Sequence, residues 1–267
     1  MTAEFLEIPV NGPIISYPIP AFVVIGLDEV GRGPLAGPVT AAGAVLRPGY
    51  KNDQIIASKQ LSHQKRLELV SEVVANSLVT SVVSVGPRRI EALNIREASR
   101  VAMLLCVQRI WRSLARELQK QRAESSGQFN TPNYQLLIDG NVPLATTLPQ
   151  ETIIKGDAKI RCIAAASILA KVTRDSLMDE LDRRFPGYNL AKNKGYPTKD
   201  HFSALEQLGP SRIHRRTFRG VRELLSVSSP VSPSIDSEAR RGSSKSVSSS
   251  ARVSGAQAEL AFSTRRT

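Results

Sequence analysis

The sequence predicts an α/β fold, with one main domain over residues 21–225. Two observations carry this prediction. Short apolar segments of the kind that form buried strands alternate along the chain with longer segments whose apolar residues have helical spacing. In addition, 41% of the 267 residues are apolar, which is enough to build a substantial hydrophobic core.

The first half of this domain is predicted to contain three strands and two helices. The apolar run "AFVVIGL" is typical of a central strand, and Val39–Leu46 follows it closely enough to be its antiparallel neighbour. Residues 62–77 have the apolar spacing of a helix, with Ser62 as its predicted N-cap. Residues 79–85 are rich in β-branched side chains and predict a strand, and the amphipathic residues 96–121 predict a long helix.

The second half of the domain is predicted to contain two strands and three helices. Residues 134–140 form a buried strand, and residues 152–159 a short one that ends near an aspartate. The helix predicted over residues 162–185 has small residues in its first half, which suits close packing. Two shorter helices are expected around residues 199–207 and 219–225.

Both ends of the chain lack the pattern of a packed domain. Residues 1–20 contain four prolines and predict an extended lead-in. Residues 226–267 contain fourteen serines and little apolar content, so they cannot bury enough surface to offset the entropy lost on ordering. We therefore expect a disordered tail after the main domain.

Composition and charge narrow the class of protein. No apolar segment is long enough to span a membrane, and the first residues lack the basic and apolar regions of a secretion signal. Cys106 and Cys162 lie in apolar surroundings without zinc-site spacing, which predicts buried, reduced thiols in a cytoplasmic protein. The net charge is +12, and residues 226–267 contribute only three of these charges, so the main domain itself is basic and suited to nucleic acid.

Acidic residues follow three of the predicted strands: the pair Asp28–Glu29, then Asp139, then Asp157. Ligands of open α/β sheets bind outside the strand ends, where carboxylates that converge repel one another unless cations lie between them. Clusters that offer only oxygen suit Mg²⁺ or Mn²⁺. However, a lone acid after a strand is usually a turn former or helix cap, and adjacent residues of a regular strand point to opposite faces. The residues alone leave a metal site and ordinary turn chemistry both open.

The glycine-rich segment after the first acids, "GRGPLAGP", has competing interpretations, of which two are excluded and two stay open. The spacing of Gly31, Gly33 and Gly37 does not fit the dinucleotide-binding pattern, and the lysine and serine or threonine of a phosphate-binding P-loop are missing. A purely structural turn is one alternative. The other is a phosphate-binding loop, in which glycines expose backbone N–H groups and Arg32 adds positive charge.

Six motifs then occur in the order found in one known family: "GLDEVGRGPLAGPV", "LLIDGN", "IIKGDAK", "AASILAKVTRD", "NKGYPTKDH" and "HRRTF". Over roughly residues 22–222, the chain resembles bacterial ribonuclease HII, the type 2 ribonuclease H. The resemblance implies the ribonuclease H-like fold: a five-stranded mixed sheet with antiparallel early strands, flanked by helices and followed by a C-terminal helical segment. It implies hydrolysis of RNA in RNA–DNA hybrids. It also implies incision on the 5′ side of single ribonucleotides in duplex DNA, leaving a 3′-hydroxyl and a 5′-phosphate.

The resemblance also assigns roles to residues of this chain. It implies four acidic catalytic residues: Asp28, Glu29, Asp139 and Asp157. The first three are the implied metal ligands, and Asp157 completes the site with the second of two Mg²⁺ or Mn²⁺ ions. The implied substrate-binding residues are Gly31, Arg32, Gly33, Lys59 and Tyr196, of which Tyr196 is expected at the RNA-to-DNA junction, where a 2′-hydroxyl is sensed.

This sequence departs from the family pattern at two positions. Ala57 stands where an aspartate is usual, which bears on the orientation of the Lys59 segment, and Ala164 replaces a serine, which predicts altered helix packing. Asp175 is expected to be structural, and His214 to support phosphate contacts rather than act as a base. A monomer is expected, and the ending "AELAFSTRRT" bears a weak likeness to clamp-binding peptides, so that sliding-clamp contact through the tail is a minor hypothesis.

Three rival functions follow from the same residues. Ribonuclease HIII is a sister type, but it carries a substantial N-terminal domain, whereas about twenty residues precede the first predicted strand here. A DNA-directed nuclease of the same fold, such as a junction resolvase, would ignore the 2′-hydroxyl. A non-catalytic RNA–DNA binding module would gain nothing from clustered negative charge facing phosphates, so the intact set of acids argues against it.

Overall fold

Strand β1, Phe22–Val30, is the centre of a five-stranded sheet in the computed structural model, which describes residues 19–56, 62–124 and 131–227. Strand β2, Val39–Leu46, pairs antiparallel with β1, and strand β3, Ser77–Val85, pairs antiparallel with β2. On the other side of β1, strand β4, Asn133–Asp139, and strand β5, Gln150–Ile153, run parallel to it, giving the strand order β3-β2-β1-β4-β5. The predicted mixed sheet with antiparallel early strands is thus confirmed.

Seven α-helices and one 3₁₀ turn are found in the described residues. Ser62 caps the first helix as predicted, because its side chain accepts a hydrogen bond from the backbone N–H of Lys65 at 3.3 Å. The 3₁₀ turn covers Gly156–Ala158. The helices are α1 His63–Ala75, α2 Pro87–Leu93, α3 Ile95–Glu124, α4 Arg161–Arg184, α5 Leu190–Asn193, α6 Lys199–Leu208 and α7 Val221–Val227.

Alternation along the strands divides the core between the two faces of the sheet. Val23, Ile25 and Leu27 of β1 point into the cluster that α3 covers, whereas Ala42 and Ala44 of β2 point into the cluster formed with α1 and α4. Each face is therefore sealed by helices, as a largely apolar sheet requires. A third cluster packs α5, α6 and α7 beneath the segment that follows β1.

Helix α4 packs directly on β1 because one glycine leaves room for it. A Cβ added at Gly26 would lie 2.2 Å from the backbone carbon of Cys162, at the start of α4. No side chain fits there, so only glycine allows the helix to begin against the strand that carries the first two acids. This contact fixes the height of α4 relative to the end of β1.

Several predicted boundaries were wrong. β1 does not stop at the acids but runs through Asp28 and Glu29, because the antiparallel pairing with β2 continues to Val30. The strand predicted at 152–159 ends at Ile153, since Lys155 adopts a left-handed conformation with φ 55° and starts the 3₁₀ turn. The short helices α2 and α5 were not predicted, and the last helix begins two residues later than expected.

Other predictions have mixed outcomes. Cys106 and Cys162 are buried free thiols, as expected. None of the helices in the described ranges has the length and apolar character needed to cross a membrane. The lead-in before residue 19 and the tail after residue 227 lie outside the described residues, so the domain limits and the disordered tail stay predictions.

Candidate active site

The sheet register brings two of the predicted catalytic acids together. β1 and β4 run parallel, and their last paired residues are Leu27 and Ile138. The next residue on each strand is an aspartate, Asp28 on β1 and Asp139 on β4. Neighbouring strands lie about 4.8 Å apart, so the register alone makes these two acids neighbours at the end of the sheet.

Burial and charge raise the pKa of Asp28 to about 8. Burial is the largest cause, since Asp28 is only 6% exposed, and the negative charges of Asp139 and Glu29 act in the same direction. A hydrogen bond with Ser167 of α4 and one from the backbone N–H of Glu29, at 2.7 Å, act against them. Asp28 is therefore a buried carboxyl whose ionised form lacks sufficient positive charge nearby.

Glu29 is held by the arginine that follows it. Arg32 Nη1 donates to Glu29 Oε1 at 3.2 Å, and the Glu29 side chain is 12% exposed whereas that of Arg32 is 48% exposed. Burial raises the pKa of Glu29, the Arg32 charge opposes this, and the charge of Asp139 adds to it. Although consecutive in a strand, both Asp28 and Glu29 are thus close enough to Asp139 to repel it.

Asp139 is fixed by the turn that follows β5. The backbone N–H of Gly156 donates to Asp139 Oδ1 at 2.7 Å, and the backbone N–H of Asp157 points to the same oxygen at 3.4 Å. Asp157 is 6% exposed and lies in the 3₁₀ turn beside Asp139, so the fourth predicted acid joins the cluster through its backbone. The structure therefore brings all four acids to one end of the sheet.

The donor chemistry of this cluster fits a hard divalent cation. Within the ranges that the structure describes, no three acidic, histidine or cysteine side chains stand in an arrangement ready to hold a metal ion. Mg²⁺, however, keeps several waters and needs only one or two carboxylates together with substrate phosphates. The pKa values of Asp28 and Glu29 are raised because burial and neighbouring carboxylates disfavour their ionised forms. A bound cation would favour those ionised forms. The acids fit an ion that binds together with its substrate.

Two fully buried arginines support the glycine-rich segment from behind. Arg215 donates to three of its carbonyl oxygens, those of Gly31 at 2.7 Å, Arg32 at 3.0 Å and Gly37 at 3.0 Å. Arg174 of α4 donates to Pro38 O at 3.0 Å and, on its other side, to Lys194 O at 3.0 Å. Because the carbonyls point inward to the guanidinium groups, this segment has a fixed conformation at the edge of the acid cluster.

The glycines and Tyr196 form one wall beside the acids. Gly31 has φ +90° and a Cβ there would lie 2.2 Å from Arg174 Nε, so glycine is required. A Cβ at Gly33 would lie 3.6 Å from the Tyr196 ring, which is therefore next to it. Tyr196 is 41% exposed, and the Arg174 guanidinium carbon lies 5.9 Å from its ring centroid. The predicted substrate residues Gly31, Arg32, Gly33 and Tyr196 are thus contiguous.

The remaining predictions have separate outcomes. Lys59 and Ala57 lie outside the described residues. Ala164 is buried in the cluster between α4 and the sheet, and Asp175 pairs with Lys171 Nζ at 2.6 Å. His214 is 1% exposed and so cannot contact a phosphate directly, and the supporting role expected for it stays a prediction.

Sequence reasoning missed Gly156, Ser167, Arg174 and Arg215. For Arg174 a signal existed: it shares the buried face of α4 with Ala170 and Met178, four residues before and after it. An arginine on an apolar helix face indicates a buried cation with a polar partner. For Arg215 no such pattern exists, since it lies in a loop and its partners are backbone carbonyls distant in sequence.

Comparison with known proteins shows the family of this chain. The family model for ribonuclease HII matches residues 25–221. Ribonuclease HII of Francisella philomiragia is 40% identical over 204 residues, which cover 76% of this chain and all of that protein. Two solved structures share the fold. One is ribonuclease H2 from Pyrococcus horikoshii OT3, with a TM-score of 0.60 and 23% identity, over 77% of this chain and 98% of that one.

The second solved structure is ribonuclease HII from Archaeoglobus fulgidus, in a complex with PCNA. Its TM-score is 0.58 and its sequence is 22% identical, over 75% of this chain and 96% of that one. The family match covers the acids, the glycine-rich segment and Tyr196. Enzymes of this family depend on divalent metal ions and hydrolyse RNA in RNA–DNA hybrids. With an acid cluster that suits such ions and a basic main domain, the chain belongs to the ribonuclease HII family.

Proposed function

We propose that this ribonuclease incises duplex DNA on the 5′ side of a single embedded ribonucleotide and also cuts longer RNA–DNA hybrids, leaving a 3′-hydroxyl and a 5′-phosphate. One observation carries the proposal. The acid cluster and the wall of Gly31, Arg32, Gly33 and Tyr196 are continuous, because Arg32 contacts Glu29 at one end and Gly33 lies beside Tyr196 at the other. A phosphate at the acids would therefore place its nucleotide against Tyr196.

Asp28, Glu29 and Asp139 would hold divalent ions, with Asp157 completing the site. Two Mg²⁺ or Mn²⁺ ions in such a site stabilise the attacking and leaving oxygens of an in-line displacement at phosphorus. The protein's part is to keep the carboxylates in place: Gly156 orients Asp139, and Ser167 orients Asp28. Asp28 has to lose its proton before it can act as a ligand, since its pKa is about 8 without an ion.

The glycine-rich segment would bind the sugar-phosphate backbone. Within the described part of the chain, the backbone N–H groups of Arg32 and Gly33 have no acceptor, and the carbonyls of this segment already point to Arg215. Free N–H groups beside a positive side chain form a concave site for phosphate oxygens. Tyr196 would then contact the ribose, where the 2′-hydroxyl distinguishes RNA from DNA.

The decisive experiment uses a labelled DNA duplex with one ribonucleotide, and an all-DNA duplex as its control, each with Mg²⁺, Mn²⁺ or EDTA. We expect metal-dependent incision 5′ to the ribonucleotide and none in the control. Asp28→Asn should abolish the cut but leave duplex binding largely intact, because the basic surface supplies the salt-dependent affinity. Cutting of the all-DNA duplex would favour a DNA-directed nuclease, and binding without a cut in either metal would favour a binding module.

We infer two further properties for the whole chain. It acts as a monomer, and residues 258–267 contact a sliding clamp, as the complex of the archaeal enzyme with PCNA suggests. Each of these two properties can be tested directly. Gel filtration with light scattering should give the mass of one chain, and deletion of residues 258–267 should remove co-migration with a bacterial clamp. Co-migration that persists after the deletion would show that the clamp contact lies outside residues 258–267, and no co-migration of the full chain would disprove the contact.

A further inference from the structure

Two histidines lie in contact behind Tyr196, and the mechanism above does not use them. His201 of α6 and His214 of the following loop are 0% and 1% exposed. Their Nε2 atoms are 3.2 Å apart, within hydrogen-bond distance. Two buried imidazoles that face each other in this way need one proton between them, and not two, because two N–H groups would repel each other.

The surrounding groups decide which nitrogen carries each proton. The backbone N–H of Ser211 donates to His214 Nδ1 at 3.0 Å, and the Ser211 hydroxyl, also 3.0 Å away, can donate to the same atom. Because the backbone N–H can only donate, Nδ1 has no proton and His214 carries its proton on Nε2. His201 Nε2 must then accept that proton's hydrogen bond. The remaining nitrogen, His201 Nδ1, lies 2.9 Å from the carbonyl oxygen of Tyr196, which can only accept. His201 therefore carries its proton on Nδ1.

The result is a directed chain of hydrogen bonds that ends on Tyr196. It runs from the Ser211 N–H through His214 and His201 to the Tyr196 carbonyl. That carbonyl also accepts from the backbone N–H of Thr198 at 2.8 Å, so both its lone pairs are used. The backbone that carries the exposed Tyr196 ring is thus fixed from the interior.

The same pair connects the Tyr196 turn to the glycine-rich segment. His214 forms an antiparallel β-bridge with Ala36 of the glycine-rich segment. Two backbone hydrogen bonds flank this bridge: Arg215 N donates to Leu35 O at 2.8 Å, and Gly37 N donates to Ile213 O at 2.9 Å. His214 is therefore attached through its backbone to the glycine-rich segment and through its side chain to the Tyr196 turn. A shift in the imidazole pair would change the gap between the two halves of the substrate wall.

Both imidazoles are neutral in this arrangement. A second proton on His201 would have to sit on Nε2, facing the proton of His214, and a second proton on His214 would face the Ser211 N–H. Burial lowers the pKa of both side chains, and for His214 the proximity of His201 adds to it. The site chemistry can thus run near neutral pH without disturbing the pair.

We propose that His201 and His214 are positioning residues, whose fixed and opposite tautomers hold Tyr196 at the correct distance from the glycine-rich segment for recognition of the ribonucleotide. The proposal rests on the role given above to Tyr196. Its tests are chosen so that the hydrogen-bonded pair and the ribonuclease activity are measured separately.

The first test is long-range ¹H–¹⁵N NMR of the imidazoles in the full chain. The protein has three histidines in all, and His63→Gln leaves only the signals of the pair. We expect one ring protonated on Nδ1 and the other on Nε2, with no further protonation between pH ~8 and ~6. Two Nε2–H rings, averaged tautomers or a charged ring would overturn the proposal, even in a fully active enzyme.

The second test uses two substitutions of His201 that each keep one half of its hydrogen bonding. His201→Asn retains a donor near the Nδ1 position and so can still reach the Tyr196 carbonyl, whereas His201→Gln retains a group near Nε2 and cannot. With the single-ribonucleotide duplex, we expect kcat to fall roughly tenfold in His201→Gln and less than about threefold in His201→Asn. Thermal unfolding checks that each variant is folded, and the NMR test needs neither variant.

A double-mutant cycle shows whether the effect passes through Tyr196. In a Tyr196→Ala background, His201→Gln should change kcat by less than about twofold, because the positioned group is already absent. Equal loss in both backgrounds, or full activity of Tyr196→Ala alone, would overturn the positioning role. Absence of any ribonucleotide-dependent cut by the wild-type enzyme would instead refute the proposed function, with the tautomers unaffected.

Discussion

The backbone N–H of Gly156 donates a hydrogen bond to Asp139 Oδ1, at 2.7 Å. This bond ties an acid at the end of β4 to the 3₁₀ turn that carries Asp157, so two of the four acids share one local support. Little space is left around the Cα atom of Gly156. An added Cβ would lie 2.7 Å from Ile163 Cδ1, 3.3 Å from Ile153 Cβ and 3.4 Å from Asp139 Oδ1 itself.

Gly156→Ala should therefore displace Asp139 and impair catalysis. The methyl group would be too close to Ile163 and Ile153, so the turn has to shift relative to the Asp139 carboxylate. We expect kcat to fall by about tenfold, with a loss of roughly 1 kcal/mol in unfolding free energy. Gly86→Ala is the matched control, since Gly86 lies far from the acids in sequence, has φ −75° and has no atom within 4 Å of an added Cβ. The measurement is steady-state cleavage by both variants, and equal activity would contradict the role of Gly156.

Arg215 should contribute strongly to stability through its fork of hydrogen bonds. Arg215→Met leaves the carbonyls of Gly31, Arg32 and Gly37 buried without their donor, and we expect unfolding free energy in urea to fall by about 3 kcal/mol. Arg215→Lys should not restore it, because an ammonium cannot reproduce the planar fork. Arg216→Met, next in sequence but exposed, should cost less than about 0.5 kcal/mol. Wild-type stability in Arg215→Lys would show that charge alone is sufficient.

Arg32 should have opposite effects on metal and on substrate. Its guanidinium occupies Glu29 Oε1 at 3.2 Å, where it competes with a cation. Removing the side chain in Arg32→Ala should lower the half-saturating Mg²⁺ concentration by roughly threefold. It should also raise KM for the duplex by about tenfold, since the phosphate contact proposed for Arg32 would be lost.

The control for this experiment is Arg112→Ala, which removes the same charge from an exposed position on α3. It should leave the Mg²⁺ requirement unchanged. Mg²⁺ titrations at saturating duplex separate the two effects of Arg32, and duplex titrations at saturating Mg²⁺ give KM. A rise in the Mg²⁺ requirement of Arg32→Ala would show that Arg32 helps to assemble the ion site instead of competing with it.

The sequence was informative where structure is local. Five strands, the long helices α3 and α4, the cap at Ser62 and the small-residue packing of α4 all follow from periodicity and side-chain chemistry over a few residues. The positions of the acids beside strand ends also follow from such patterns. Their convergence depends on the Leu27–Ile138 register, which joins strands more than one hundred residues apart, and only the family resemblance decided between a shared site and ordinary turn chemistry.

The errors have the same physical origin. β1 continues through Asp28 and Glu29 because β2 supplies a partner there, and no local pattern records that pairing. The supporting groups Arg215, His201 and His214 act on backbone atoms of distant segments, and their residue types alone do not indicate those partners. Residues that position a site from behind therefore need tertiary structure before they can be recognised.

The neutral His214 predicts a specific pH dependence of stability. Its pKa is about 4 in the folded chain against an ordinary 6.5, because of burial first and His201 second. The groups that face the ring are His201 of α6, Ser211 of its own loop and Tyr188, whose ring centroid lies 4.7 Å away. Between these two pKa values the unfolded chain binds a proton that the native chain does not, so the free energy of unfolding falls as pH drops from about 6.5 to about 4.

Asp28 acts in the opposite direction over this range, because its raised pKa lets the native chain keep a proton that the unfolded chain releases. A comparison with His214→Gln removes this contribution, since Asp28 is present in both proteins. Urea unfolding in EDTA at pH ~7 and ~4.5 should show that the wild-type protein loses about 2 kcal/mol more than the variant. The variant starts from lower stability at pH ~7, where the wild type has the intact imidazole pair, and the two curves approach each other in acid. Parallel curves would mean that His214 takes up its proton equally in both states, which a ring held between Ser211 N–H and His201 could not do.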